Sequence, residues 1–110
     1  MKEFERIIEE NMTIKYILGQ NAQENHDIID NAEKSDWWFH LTDFPSGHCI
    51  VETDLLEKED ILFASKLVKD NSKFKNINKV SVSYLQIKDI KKTKKPGEVK
   101  LLKKANKFIL

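Results

Sequence analysis

The chain of 110 residues has one cysteine, two prolines and three glycines, and no apolar run near the length of a membrane helix. With Cys49 alone, an intrachain disulfide is impossible, which agrees with a reducing compartment. A membrane-spanning helix needs about 20 consecutive apolar residues. The acidic start MKEFERIIEE also lacks the apolar middle of a secretory leader. A cytoplasmic location is therefore the expectation, with the nucleus as the other reducing compartment, and no membrane partner. Catalytic signatures are missing as well. There is no Gly-x-Ser-x-Gly elbow, no glycine-rich phosphate loop and no His-Glu-x-x-His pair. Two histidines can cleave RNA without a metal, one as base and one as acid, so a nuclease built on His40 and His48 is a third-ranked alternative. The expectation is no enzyme, no catalytic residues and no cofactor.

What the chain does have is charge, at 34% of residues, and the charge is unevenly placed. Residues 88–107 hold nine lysines against Asp89 and Glu98, a balance of +7, so the other ninety residues carry −6 to give the net +1. An acidic body with a basic C-terminal fifth is the electrostatic footprint of a polyanion-binding protein. The bland alternative is a solvated lysine-rich face.

Length and pattern point to one domain over residues 1–110. Phe4–Ile8 and Thr13–Leu18 are apolar and β-branched, and read as a hairpin closing at Gly19. Asn21 is placed as a helix N-cap with Glu24 in the reciprocal position, followed by the stripe Ala22, Ile28, Ile29 and Ala32. Asp36–Leu41 and His48–Thr53 read as strands around the turn Pro45, Ser46, Gly47. Lys58–Asn71 carries Ile61, Ala64 and Val68 on one helical face. Val80–Ile87 alternates as a strand; Val99–Leu102 and Phe108–Leu110 are candidate closing strands. Two helices among several strands, without regular alternation, give an α+β domain with a mixed or antiparallel sheet.

The segment Asp36-Trp37-Trp38-Phe39-His40 is the most unusual. On a strand it sends Trp37 and Phe39 to one face and Asp36, Trp38 and His40 to the other. An exposed aromatic on a sheet can stack on an unpaired base, and an imidazole beside it can bond phosphate or a base edge, with Asp36 orienting the ring. The opposing reading has that face covered by a helix and His40 satisfied by Asp36. His48 follows the turn and can face His40. Cys49 points the other way on its strand, and His26 lies on a separate helix, so a metal site is not expected.

Gly19-x-Asn21-Ala22-x-x-Asn25, Asp36-x-Trp38-Phe39-His40, Gly47-His48 and a lysine pair leading to Lys95-Pro96-Gly97-x-Val99 occur in the order seen in NFACT-R domains. The chain resembles that family from about Thr13 to Leu102. The resemblance implies a compact α+β module that binds RNA without catalysis, through Asp36, Trp38, His40, His48, Lys91, Lys92, Lys94 and Lys95. In ribosome-quality-control factors such a domain accompanies others that engage the large ribosomal subunit and tRNA, so tRNA or rRNA is the implied partner. Single-domain relatives with a coiled coil also exist, one of which senses DNA. The family's lysine loop usually resembles KKPKGAKPG. Here Lys91-Lys92-Thr93-Lys94-Lys95-Pro96-Gly97 is shorter and has no internal glycine. The main rival is a module that docks on a ribosomal or quality-control protein, with the lysines serving solubility; DNA binding is a further alternative. Oligomeric state is not legible. Asn21 and Asn25 are expected to be structural, the first as a cap and the second bonding a nearby turn.

Overall fold

Period-two alternation over the first eighteen residues makes a long antiparallel hairpin, β1 (Lys2–Glu9) and β2 (Met12–Leu18), in the computed structural model, which describes residues 1–110. The hairpin turns at Asn11, whose φ of 66° is a left-handed value that asparagine tolerates. Both strands run further than the apolar runs suggested. Helix α1 (Ala22–Asp30) follows, then β3 (Trp37–Leu41) and β4 (Cys49–Val51). Next come helix α2 (Lys58–Asp70), β5 (Ser81–Gln86) and a single 3-10 turn over Ile87–Asp89. The chain ends with β6 (Ile90–Lys92), β7 (Val99–Leu101) and β8 (Asn106–Ile109).

Six strands form one antiparallel sheet in the order β1-β2-β4-β3-β5-β8. The α+β class read from the pattern is the observed one. Register stacks the apolar sets. Tyr16 pairs with Val51, Leu18 and Phe39 both pair with Cys49, and Leu41 pairs with Val82. These side chains share one face and are fully or almost fully buried under Ala64 and Val68 of α2. On the other face Trp38 and Ile50 are partners, and Trp38 also pairs with Leu85. Ile28 and Ile29 of α1 cover them together with Ile87 and Ile90. Strand β4 is therefore buried on both faces, which is why Cys49-Ile50-Val51 is a continuous apolar run and not an alternating one.

The helix starts are tied down by side chains. Asn21 Oδ1 accepts from the Glu24 N–H at 2.9 Å, as expected of an N-cap. The reciprocal bond is displaced by one residue: Glu24 Oε1 accepts from Gln20 N–H at 3.0 Å and not from Asn21. At α2, Asp60 Oδ2 accepts from Glu57 N–H at 2.9 Å. Its other oxygen accepts from the Tyr16 hydroxyl at 3.1 Å and pairs with Arg6, so a fully buried carboxylate joins α2 to the hairpin. Burial pushes the Tyr16 phenol up to about 12.

One expected closing strand lies elsewhere than the main sheet. Val99–Leu101 pairs with Ile90–Lys92 in a separate two-stranded ribbon, so the lysine-rich segment is the connection of a β-hairpin. This ribbon folds back on α1. Gly97 (φ 82°) lies so close to Ala22 that an added Cβ would come within 3.1 Å of that residue's own Cβ. His26 Nε2–H donates to the Glu98 carbonyl at 3.0 Å, and Lys92 Nζ reaches Asp30 Oδ1 at 2.5 Å.

Candidate nucleic-acid interface

Helix α1 is nine residues long, about 14 Å at 1.5 Å per residue. It therefore covers only part of the second sheet face. Beyond it, that face turns polar along the same strands: Trp38 gives way to His40 on β3, and Leu85 to Ser83 on β5, with His40 and Ser83 as direct partners and Lys107 of β8 beside Ser83. A cleft of about 880 Å³ opens there. Its walls are the start of α1 at Asn21, the Lys95–Gly97 turn of the ribbon, and the Asn71–Phe74 loop after α2.

A set of interlocking backbone contacts holds the mouth in shape. Gly19 N–H donates to the His48 carbonyl at 2.9 Å, and Asn25 Oδ1 accepts from His48 N–H at 3.0 Å. Gly47 passes so near Gly19 that a Cβ there would lie 2.3 Å from the Gly19 carbonyl oxygen. The glycines and Asn25 of the recurring pattern thus act together to seat His48, and Asn25 bonds a neighbouring turn as expected.

Inside, the Trp38 indole N–H donates to His48 Nδ1 at 3.1 Å, which leaves the proton of a neutral His48 on Nε2. Trp38 and His48 are each 2% exposed. Burial, followed by the neighbouring His40 and His26, lowers the His48 ring to about 3. The His40 ring is also held below its ordinary value, mainly by burial. His40 lies flat on Trp38, with planes 10° apart and centroids 5.7 Å apart, and meets His48 edge-on at 4.8 Å. Burial disfavours the imidazolium form of His48, so at neutral pH the ring has no imidazolium proton to deliver. His48 is thus poorly suited to the acid half of a two-histidine cleavage.

Of the eight residues singled out in the sequence, His40, His48, Trp38 and Lys95 come together at the cleft. Trp38 does so from behind: its ring is sealed under α1 and turned to His40, so it offers no open face for stacking. The expectation of an exposed indole is corrected here, and the covered reading of that position describes it better. Asp36 does not orient His40. Its Oδ2 accepts from Glu33 N–H at 2.9 Å, closing the turn before β3, and burial raises its carboxyl above the usual range. Lys91 and Lys94 are exposed on the ribbon, while Lys92 is engaged with Asp30. Lys91 lies directly opposite Lys100, an arrangement of like charges that is mildly unfavourable unless an anion lies between them.

The sequence reasoning passed over Lys73, Thr42 and Ser83. Thr42 Oγ1 bonds Ser81 Oγ at 2.8 Å and Ser83 Oγ at 2.7 Å, and Thr42, Ser83 and Lys73 line the cleft. Only the alternation Ser81, Ser83 against Val80, Val82 hinted at a polar half-face; nothing local marked Lys73. No three His, Cys, Asp or Glu side chains gather as a metal site. Cys49 points into the α2 core, where burial raises its thiol far above the ordinary value. No helix is long and apolar enough to cross a membrane.

Known proteins resemble this chain in sequence and fold. The family model described as NFACT protein RNA binding domain matches residues 4–104. A curated protein of Streptococcus suis (strain 05ZYH33), named Rqc2 homolog RqcH, is 29% identical over 87 residues, covering 76% of this chain and 16% of that protein. The solved C-terminal part of the fibronectin/fibrinogen-binding protein from Streptococcus suis superposes with a TM-score of 0.82 at 25% identity. That match covers 88% of this chain and 40% of the solved one. The chain thus spans well under two thirds of either relative.

Proposed function

The chain belongs to the NFACT protein RNA binding domain family, and from that premise we propose that it is a non-catalytic module that grips RNA phosphates with the lysines of the β6–β7 ribbon and seats the strand across the adjoining cleft. The observation that carries this reading is the coincidence of two features. The stretch of the second sheet face that α1 leaves uncovered is polar, and the Lys95–Gly97 turn that helps to line it belongs to the most basic part of the chain. Lys91, Lys94 and Lys95 are the principal phosphate contacts, joined by Lys73 from the loop after α2; Lys92 mainly braces the ribbon against α1. Phosphate contacts of this kind set register and supply most of the affinity.

The family's description and the relative named Rqc2 homolog RqcH support an RNA-binding role near ribosome quality control; tRNA or rRNA is the partner we propose. Activities that reside in the remaining length of such proteins are not assigned to this chain. A fluorescence-anisotropy titration with tRNA, unstructured RNA and duplex DNA across a salt series tests the reading. Tight RNA binding is expected, with log affinity falling against log salt by a slope equivalent to about three or four phosphates. Absence of binding to any nucleic acid at low salt would reduce the lysines to a solvated face.

Protein docking is the second reading, favoured by the hairpin tip, where Ile7 is 76% and Met12 52% exposed. A Lys91→Ala/Lys94→Ala/Lys95→Ala variant separates the two, since only RNA affinity depends on those side chains.

A further inference from the structure

The aromatic pair in the cleft begins in the core and stops at the cavity wall. Trp38 is sealed, whereas His40, parallel to it, is only partly covered and lines the open space. His48 closes one side edge-on and fixes the imidazole in place. A flat ring held against a second ring, with open volume beside it, is a platform for a third.

The groups around that platform are neutral hydrogen-bonding groups. The His48 Nε2–H is left as a donor once Nδ1 has accepted from Trp38. Asn25 uses its Oδ1 on His48 N–H, which leaves its amide hydrogens. Thr42 and Ser83 line the cleft, and with Ser81 they have three hydroxyl protons for two mutual bonds, so one O–H is not used among them. Two cations, Lys95 from the ribbon turn and Lys73 from the loop after α2, also line the cleft. Neutral donors and acceptors suit a base edge or a ribose, and the cations suit the phosphate. The volume, about 880 Å³, lies within the ~300–1,000 Å³ of small-ligand sites and admits a nucleotide but not a duplex.

We propose that the cleft receives one extruded, unpaired base of the bound RNA, which stacks on His40 as the third ring after Trp38 and leaves its phosphate to Lys95 and Lys73. The proposal rests on the RNA-binding reading above. It reassigns the stacking role from Trp38, whose ring is inaccessible, to His40, with Trp38 as the buried support. It also accounts for the polar half-face: a helix long enough to cover the whole sheet would fill the space the base occupies.

The test uses the full chain and two RNA hairpins, each closed by a non-nucleotide linker so that every base of the control is paired, identical except for a single bulged nucleotide in one stem. Anisotropy titrations at fixed salt are expected to show about tenfold tighter binding of the bulged hairpin, the scale of one base stacked on an aromatic ring. Both probes are expected to share one salt slope, since the lysine contacts are common to them. His40→Ala should bring the bulged hairpin down to the level of the paired one, and His40→Phe should keep the preference. Equal affinity of the wild-type chain for both hairpins, with a steep salt slope, would overturn base insertion while leaving RNA binding intact. A preference unchanged by His40→Ala would also overturn it. Failure of both hairpins to bind would defeat both readings together.

Discussion

Along β3, Phe39 and Leu41 are completely buried on the α2 side, while on the α1 side Trp38 is sealed and His40 opens onto a cleft. These residues alternate along one five-residue strand, so the difference does not come from the strand. It comes from what covers each face. Helix α2 has thirteen residues, and the Phe44–Phe74 stack extends its cover; α1 has nine and is followed only by the narrow β6–β7 ribbon. The closed face supplies stability. The half-open face retains hydrogen-bonding groups that a fully covered sheet would have had to satisfy internally or replace by apolar side chains. Ser83, at 5% exposed, shows how that is managed without water: its hydroxyl is bonded to Thr42.

Substitutions on the two faces should separate folding from binding. Phe39→Ala removes a fully buried ring from the closed face and should cost about 3–5 kcal/mol in a urea titration. His40→Ala, one residue on, should cost about 1 kcal/mol or less in the same titration, because the imidazole is already partly solvated. Comparable losses at the two positions would mean that the half-open face is as much a part of the core as the closed one.

The buried His48 lets pH probe the same contrast. Its ring is held at about 3 against an ordinary 6.5, so the unfolded chain takes up a proton that the folded chain refuses. The stabilisation is complete above about pH 6.5 and is lost as pH falls toward 3, by at most about 1.4 kcal/mol per unit. His40, shifted in the same direction, adds to the slope. Urea unfolding at pH 7 and pH 5 should show the decline, and His48→Gln should flatten it. A slope undiminished in that variant would locate the titration elsewhere; the part that remains is the contribution of His40.

The ribbon should behave as a third, separable region. Lys91→Ala/Lys94→Ala/Lys95→Ala leaves both cores untouched, so thermal unfolding should be unchanged. RNA affinity at low salt should fall by roughly one to two orders of magnitude, and the salt slope should shrink by about 2–3. Least affected of all should be Cys49. Its thiol, buried on the closed face, should stay unmodified by an aromatic disulfide reagent until denaturant is added. Rapid reaction in the native state would show the α2 face opening.

Much of the architecture was legible before the structure. The alternation in residues 13–18 and 36–41 and the stripe Ile61, Ala64, Val68 are local patterns, and local patterns report the face a side chain takes. The cap at Asn21 was equally readable, because its bond spans three residues. The site was half legible. The run Asp36-Trp37-Trp38-Phe39-His40 located the strand and assigned its two faces, and the family pattern drew in His48 and the lysines. It did not reveal that Trp38 is covered while His40 is not, since both lie on the same face of the same strand. Nor did it show that Asp36 serves its own turn, that Lys92 is taken by Asp30, or that Lys73 lines the same cleft as Lys95.

By itself, then, the sequence determined the α+β class, the faces of the strands and the basic C-terminal fifth, all of which follow from residues close together in the chain. Only the tertiary structure decided where α1 stops over the sheet, that β6 pairs with β7 apart from the main sheet, and hence which polar groups line an open cleft. Those outcomes depend on the lengths and contacts of elements tens of residues apart, such as His26 meeting Glu98, and no local period encodes them.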